Sequence, residues 1–231
     1  MDKNFRVRVI VGICMFVVAV VALYTFDAIP FKVLYALFAV MAMVELASFF
    51  WRKRSVSNTV LAMLEMVFLV GSVVFASLID PAHFWYIIFG VCGYDIFAYL
   101  FGKALGGKVF GKSRPFPKIS KNKTWEGTLF GLFMSLLMCV ILMAVRGEFG
   151  TEWVYLLCGP LAVVGDLYES YLKRRFGVKD SNEIVIKNRF FEKLELAVGG
   201  SEGHGGFLDR LDSIAFACTV LLVIGLVRMA I

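Results

Sequence analysis

The chain is short of charge. Asp, Glu, Lys and Arg make up 18% of its 231 residues, against roughly 25% in ordinary soluble domains. By contrast 60% are hydrophobic, and the mean hydropathy is +0.80. A soluble domain of this length could not bury so much apolar surface, because surface-to-volume scaling leaves much of any small fold wet. A soluble globular protein and a disordered one are both excluded. There is no CxxC pair and no Cys/His cluster at metal-binding spacing. Cys14, Cys92, Cys139, Cys158 and Cys218 all fall inside apolar runs and read as small packing residues in a reduced chain. No Walker A motif and no GxGxxG run occurs, which excludes P-loop and Rossmann nucleotide sites. Internal repeats and low-complexity stretches are missing too. No small-x-small cleavage site comes after the basic start at Met1–Arg8, so the apolar run beyond it is expected to stay as a first helix.

What is present is a series of long apolar runs. A membrane-spanning helix needs about 20 mostly apolar residues. Seven candidates run roughly Val7–Phe26, Phe31–Trp51, Thr59–Ile79, His83–Phe101, Gly127–Val145, Trp153–Leu172 and Ser213–Ile231. Pro160 is expected to kink the sixth. The expected fold is all-α: a polytopic integral membrane protein with two long cytoplasmic loops, 102–126 and 173–212. Residues 1–81 would form N-terminal transmembrane helices, and residues 82–231 a catalytic transmembrane region.

The few charges are unevenly placed. On the seven-helix scheme three Lys and Arg lie in the N-terminus, three at 52–58, seven at 102–126 and eight at 173–212. Only Lys32, Arg146 and Arg228 fall on the other side. The positive-inside rule then puts the N-terminus and both long loops in the cytoplasm.

Those loops and the helix ends beside them carry the chemistry. Asp95, Tyr99, Gly102 and Gly106 share one helical face near the interface, and a carboxylate at membrane depth is a functional candidate. Glu45 and Glu65, each within two turns of the basic loop at 52–58, read more simply as snorkelling acids. Lys121 and Lys123 precede Thr124-Trp125-Glu126-Gly127 at a helix start, where cationic heads and outward N–H groups suit a polyphosphate. Lys103, Lys108 and Lys112 read instead as contacts to anionic headgroups. Asp166, Glu169 or Ser170, and Lys173 line one helical face, followed by Arg174 and the pair Lys179-Asp180. The last block runs His204-Gly205-Gly206-Phe-Leu-Asp209-Arg210-Leu-Asp212. Capping explains one of its two acids, and its glycines allow close backbone approach to a ligand. Hard oxygen donors (Asp166, Asp209, Asp212) among many cations describe a magnesium–polyphosphate site.

Taken in order over residues 93–213, these blocks resemble the phosphatidate cytidylyltransferase (CDP-diacylglycerol synthase) family. The resemblance implies transfer of CMP from CTP to phosphatidate, giving CDP-diacylglycerol and pyrophosphate in phospholipid biosynthesis. It implies catalytic roles for Asp166, Lys173, His204, Asp209, Arg210 and Asp212. Asp95, Tyr99, Lys121, Lys123, Glu126, Ser170, Arg174, Lys179, Asp180, Gly205 and Gly206 would bind substrate. Asp166, Asp209 and Asp212 would hold Mg²⁺, with room for a second or monovalent cation. The expected partners are CTP, phosphatidate and membrane lipid, with a homodimer open and no nucleic acid. The expected location is a multi-pass inner or plasma membrane protein with a cytoplasmic active site. Two features depart from the family. Twenty-three residues, Ser181 to Gly203, separate Asp180 from His204 where relatives have a short linker, and seven helices are fewer than many bacterial relatives have. A CTP-dependent polyprenol kinase of the phytol or dolichol type is the nearest alternative, and a small membrane transporter a more distant one. No Asp-Gly-x-x-Ala-Arg run supports a CDP-alcohol phosphotransferase.

Overall fold

The structure, a computed structural model, describes residues 28–52, 55–178 and 206–230. They are mostly helical, joined by turns and short irregular stretches, with no strand among them. In order come α1 (Ala28–Arg52), α2 (Val56–Leu78), the short α3 (Pro81–Ile87), a π-helical turn (Ile88–Cys92) and α4 (Gly93–Leu105). After these stand α5 (Trp125–Arg146), a 3-10 turn (Thr151–Leu157), α6 (Cys158–Phe176) and α7 (Leu208–Ala230). Val56–Leu78, Ala82–Leu105, Trp125–Arg146 and Leu208–Ala230 are each long and apolar enough to cross a bilayer. This is a multi-pass membrane protein.

The expected spans fare unevenly. The first candidate, Val7–Phe26, lies outside the described residues, so the count of seven stands unconfirmed. The sixth is not a single apolar span. A 3-10 turn covers Thr151–Leu157, and α6 starts only at Cys158. Pro160 therefore sits in the first turn of α6 rather than in mid-helix. There its missing N–H would have had no intrahelical partner anyway, so it starts the helix instead of kinking it.

Small residues let the helices close up, as they must where lipid supplies no hydrophobic drive between helices. Along α4 and α5 a Cβ on Gly127 would stand 2.5 Å from the Ala98 carbonyl oxygen, and one on Gly131 would stand 2.9 Å from the Tyr94 ring. Gly165 of α6 sits equally close to α7, where an added Cβ would meet the Ser213 Cα at 2.8 Å. Side-chain hydroxyls also stitch helices together: Thr219 of α7 donates to the Phe68 carbonyl of α2 (2.8 Å) and Ser213 to the Ala162 carbonyl of α6 (3.2 Å). Among the described cysteines, Cys92 is partly buried. Cys139, Cys158 and Cys218 are buried and unbridged, and the Cys139 thiol points at the Tyr155 carbonyl (3.5 Å). Cys14 lies outside the described residues.

The π turn has a positional consequence. It adds one residue to the helical repeat, and so rotates the next residues, Gly93-Tyr94-Asp95, by about 100°. The Gly90 carbonyl in this turn accepts from the Ser135 hydroxyl on α5 at 2.6 Å, so the irregular backbone stays satisfied in an apolar setting.

Candidate active site

One end of the bundle gathers the C-terminal ends of α4 and α6 and the N-terminal ends of α5 and α7. A pocket of about 340 Å³ opens there, walled by α4, by the Asn122–Thr124 approach to α5, and by Asp166 of α6. Asp95, Tyr99, Gly102 and Lys123 line it, as the sequence pattern anticipates. Gly106 does not. It caps the end of α4, and its N–H reaches the Gly102 carbonyl at 3.1 Å. Thr124 is the N-cap of α5, accepting from the Gly127 N–H at 3.0 Å. That cap turns the preceding Lys123 inward.

Lys123 forms an ion pair with Asp166 across the pocket wall, and its ammonium lies over the Tyr94 ring at 5.8 Å. Burial would pull the Lys123 pKa down. The Asp166 carboxylate, helped by Tyr94 and Asp95, more than reverses this and holds it above the ordinary value. The Ser170 hydroxyl, one turn on, reaches the other Asp166 oxygen at 3.4 Å. Asp95 and buried Asp212 both lie within electrostatic reach of Asp166. Carboxylates from two helices, Asp166 and Asp95, thus act on Lys123, and Asp212 of a third helix lies within reach of both acids.

A second polar knot lies beside it. Lys173 pairs with Glu169 at 2.6 Å and with Asp209 at 2.7 Å. Asp209 also accepts from the Gly206 N–H at 2.9 Å. This places Asp209 differently from expectation: its oxygens face an ammonium and an N–H rather than Asp166 and Asp212. Among the described residues no group of three or more His, Cys, Asp or Glu is arranged to hold a metal ion. Asp166 and Asp95 remain as a two-carboxylate wall with Asp212 behind, a donor set that suits a hard cation completing its shell with phosphate oxygens.

Other expected site residues are scattered more widely. Lys121 and Arg174 are exposed, and neither lines the pocket. Arg210 is half-buried on the first turn of α7. Glu126 is a correction. Its side chain is buried, and one carboxylate oxygen accepts from the N–H groups of Gly107, Val109 and Phe110 at 2.9–3.0 Å. It shapes the loop beside the pocket rather than the pocket wall. Lys179, Asp180, His204 and Gly205 lie outside the described residues, as does the 181–203 insertion.

Sequence reasoning missed Tyr94 and the part played by Glu45. Tyr94 lines the pocket one residue before Asp95, but an apolar face signals nothing about an aromatic at that depth. Glu45 does not simply snorkel. It is buried, and its two oxygens accept from the N–H groups of Phe207 and Leu208 at 2.8 and 2.9 Å. A carboxylate at a helix N-terminus is favoured by the free N–H groups and the helix dipole. Glu45 of α1 thus docks the start of α7, and with it Asp209 and Asp212.

Comparison with known proteins agrees with this geometry. The model of the cytidylyltransferase family matches residues 81–186, the stretch that builds the pocket. Over that stretch, just under half of its length, the chain is similar to this family. Proteins named phosphatidate cytidylyltransferase are among its relatives. One from Brucella abortus (strain 2308) is 35% identical over 134 residues, 57% of this chain and 42% of the relative. One from Helicobacter pylori (strain J99 / ATCC 700824) is 40% identical over 126 residues, 53% of this chain and 41% of the relative. One from Staphylococcus aureus (strain COL) is 37% identical over 134 residues, 56% and 44%. In each case the match spans less than half of the relative's own length.

Proposed function

We propose that the chain is a phosphatidate cytidylyltransferase, making CDP-diacylglycerol and pyrophosphate from CTP and phosphatidate. One observation carries the reading: Lys123, paired with Asp166 and close to Asp95, lines a pocket set between membrane-spanning helices. Such a site admits a water-borne triphosphate while the lipid tails stay in the bilayer. The relatives' shared name supports it.

The lipid phosphate is already anionic at neutral pH, so its attack on the α-phosphorus of CTP needs no strong base. A new P–O bond forms, the bond to the β-phosphate bridging oxygen breaks, and pyrophosphate leaves. The protein's work is alignment and charge neutralisation. Lys123, over the Tyr94 ring, would hold a phosphate oxygen. Lys173, oriented by Glu169 and Asp209, presents the second positive charge. Asp166 and Asp95, backed by Asp212, would hold Mg²⁺. When bound, that ion neutralises phosphate charge and stabilises the leaving pyrophosphate. The 21 of 24 basic residues on this side of the expected topology favour a cytoplasmic site.

Purified protein given labelled CTP, phosphatidate and Mg²⁺ is expected to yield CDP-diacylglycerol and pyrophosphate. Release of CDP with phosphorylation of a polyprenol would support the kinase alternative. No lipid-linked product from either acceptor would overturn both.

A further inference from the structure

The segment 106–124 leaves the bundle where the Ala82–Leu105 span ends and re-enters where Trp125–Arg146 begins. It therefore lies at headgroup level. Its first turn is built, not slack. Gly107 and Gly111 take positive φ (83° and 60°), which other residues adopt reluctantly. The resulting curl points three N–H groups at Glu126. Clamped this way, the turn holds its apolar side chains outward: Val109 is 69% exposed and Phe110 46%. The Phe110 ring also contacts the Trp125 ring (6.4 Å) at the start of α5. Exposed Lys108 and Lys112 flank this apolar tip. Buried polar hardware that exists to expose apolar groups makes no sense facing water. It makes sense facing a bilayer, where an aromatic and aliphatic tip enters the interface and lysines meet phosphates.

We propose that the 107–112 turn is a membrane-surface anchor for anionic phospholipid headgroups, with Val109 and Phe110 inserted, Lys108 and Lys112 on the phosphates, and Glu126 as the clamp. It borders the pocket through Gly102 and Lys103, both in the pocket wall, so it concentrates anionic lipid beside the mouth. The anchor does not depend on the transferase reading, since headgroup binding is measurable without CTP.

The test uses the full chain in nanodiscs carrying a photo-cross-linking benzoylphenylalanine at Val109. Labelled phosphatidylglycerol or phosphatidylcholine is the lipid probe. A second probe at Leu136, exposed in mid-span on α5, marks ordinary lipid contact. Val109 is expected to cross-link phosphatidylglycerol in preference to phosphatidylcholine, while Leu136 shows no preference. Replacing Lys108 and Lys112 by Ser should cut the preference about fivefold per lysine, without changing Leu136. Glu126→Gln should lower lipid cross-linking at Val109 altogether. The two lysine changes are on the surface and keep the test valid if Glu126→Gln fails to fold. Three results would overturn the anchor: no lipid cross-link at Val109 when Leu136 gives one, equal yields with both lipids, or loss of the preference on adding inorganic phosphate. The last would make the lysines a free-phosphate site.

Discussion

The two ends of the bundle hold similar charges arranged in opposite ways. At the far end the closest ion pair is local in sequence. Arg146 reaches Glu148 two residues on through two hydrogen bonds of 2.7 and 2.8 Å. The Tyr86 hydroxyl completes that group at 2.8 Å, and Arg228 stacks on Trp153 at 4.5 Å. At the pocket end the pairs join distant elements: Lys123 with Asp166, Lys173 with Asp209, Glu45 with the start of α7. The far-end pairs cap helix ends and anchor them at an interface. The pocket-end pairs gather acids that repel one another around two lysines, an arrangement that ligand charge can enter and rearrange. Charge density does not mark the site; charge brought together from separate helices does.

The largest expected effect breaks the comparison at its centre. Asp166→Asn removes the carboxylate facing Lys123 while keeping its shape. CDP-diacylglycerol formation should fall at least about 100-fold, the scale of losing one group that stabilises transition-state charge. The protein should still extract from membranes as a folded species. Turnover near the unmutated rate would remove Asp166 from the site and with it the metal-holding wall.

Next comes Lys173→Met. It leaves Glu169 and Asp209 without their cation, and Glu169 is buried. Breaking a buried pair from one side costs about 3–5 kcal/mol, so the melting temperature in detergent should drop sharply. The double change Lys173→Met with Glu169→Leu should recover much of that stability but not the activity. Recovery of both would show the knot to be structural only.

Glu45→Gln is a smaller change with a sharper meaning. It keeps one acceptor for the Phe207 and Leu208 N–H groups but loses the charge at the helix start, worth about 1–2 kcal/mol. Because α7 carries Asp209 and Asp212, activity should fall further than stability alone explains. Glu45→Asp, with the charge kept and the reach shortened, should fall between the two. An unchanged rate in Glu45→Gln would reduce Glu45 to a passive packing acid.

These residues also mark how much was legible from sequence. Long apolar runs locate α1, α2, α5 and α7, because a bilayer demands about 20 apolar residues whatever the fold. The i, i+4, i+7 spacing of Asp95, Tyr99 and Gly102 places all three in the pocket wall, since helical periodicity is local. Tertiary facts are not local. Nothing near Glu45 announces that it meets a backbone 162 residues away. Nothing in Ile88–Cys92 announces a π turn, whose Gly90 carbonyl is met by the Ser135 hydroxyl of another helix. Asp209 and Asp212 look alike in sequence, three apart on one helix, yet Asp209 turns to Lys173 while buried Asp212 faces the field of Asp166 and Asp95. Glu126 reads as substrate-binding because it opens a basic helix start; its true contacts are N–H groups on a turn 16 to 19 residues earlier.

The smallest expected effect tests the far end. Hydrogen bonds from Arg146 and then Tyr86 hold the Glu148 carboxyl down at about 2, below the ordinary value near 4.3. A depressed carboxylate stabilises the fold above its unfolded pKa, and that contribution fades as pH falls through the folded one. Unmutated protein should therefore melt slightly above Glu148→Gln at neutral pH, with a constant gap down to about pH 4.5. The gap should close toward pH 2. It should be small, because both partners are partly exposed and salt screens such pairs. Activity at neutral pH should stay within about twofold, the usual range for surface changes away from a site. A loss of activity rivalling Asp166→Asn would end the distinction between the two ends, since a locally paired far-end acid would then be serving the reaction.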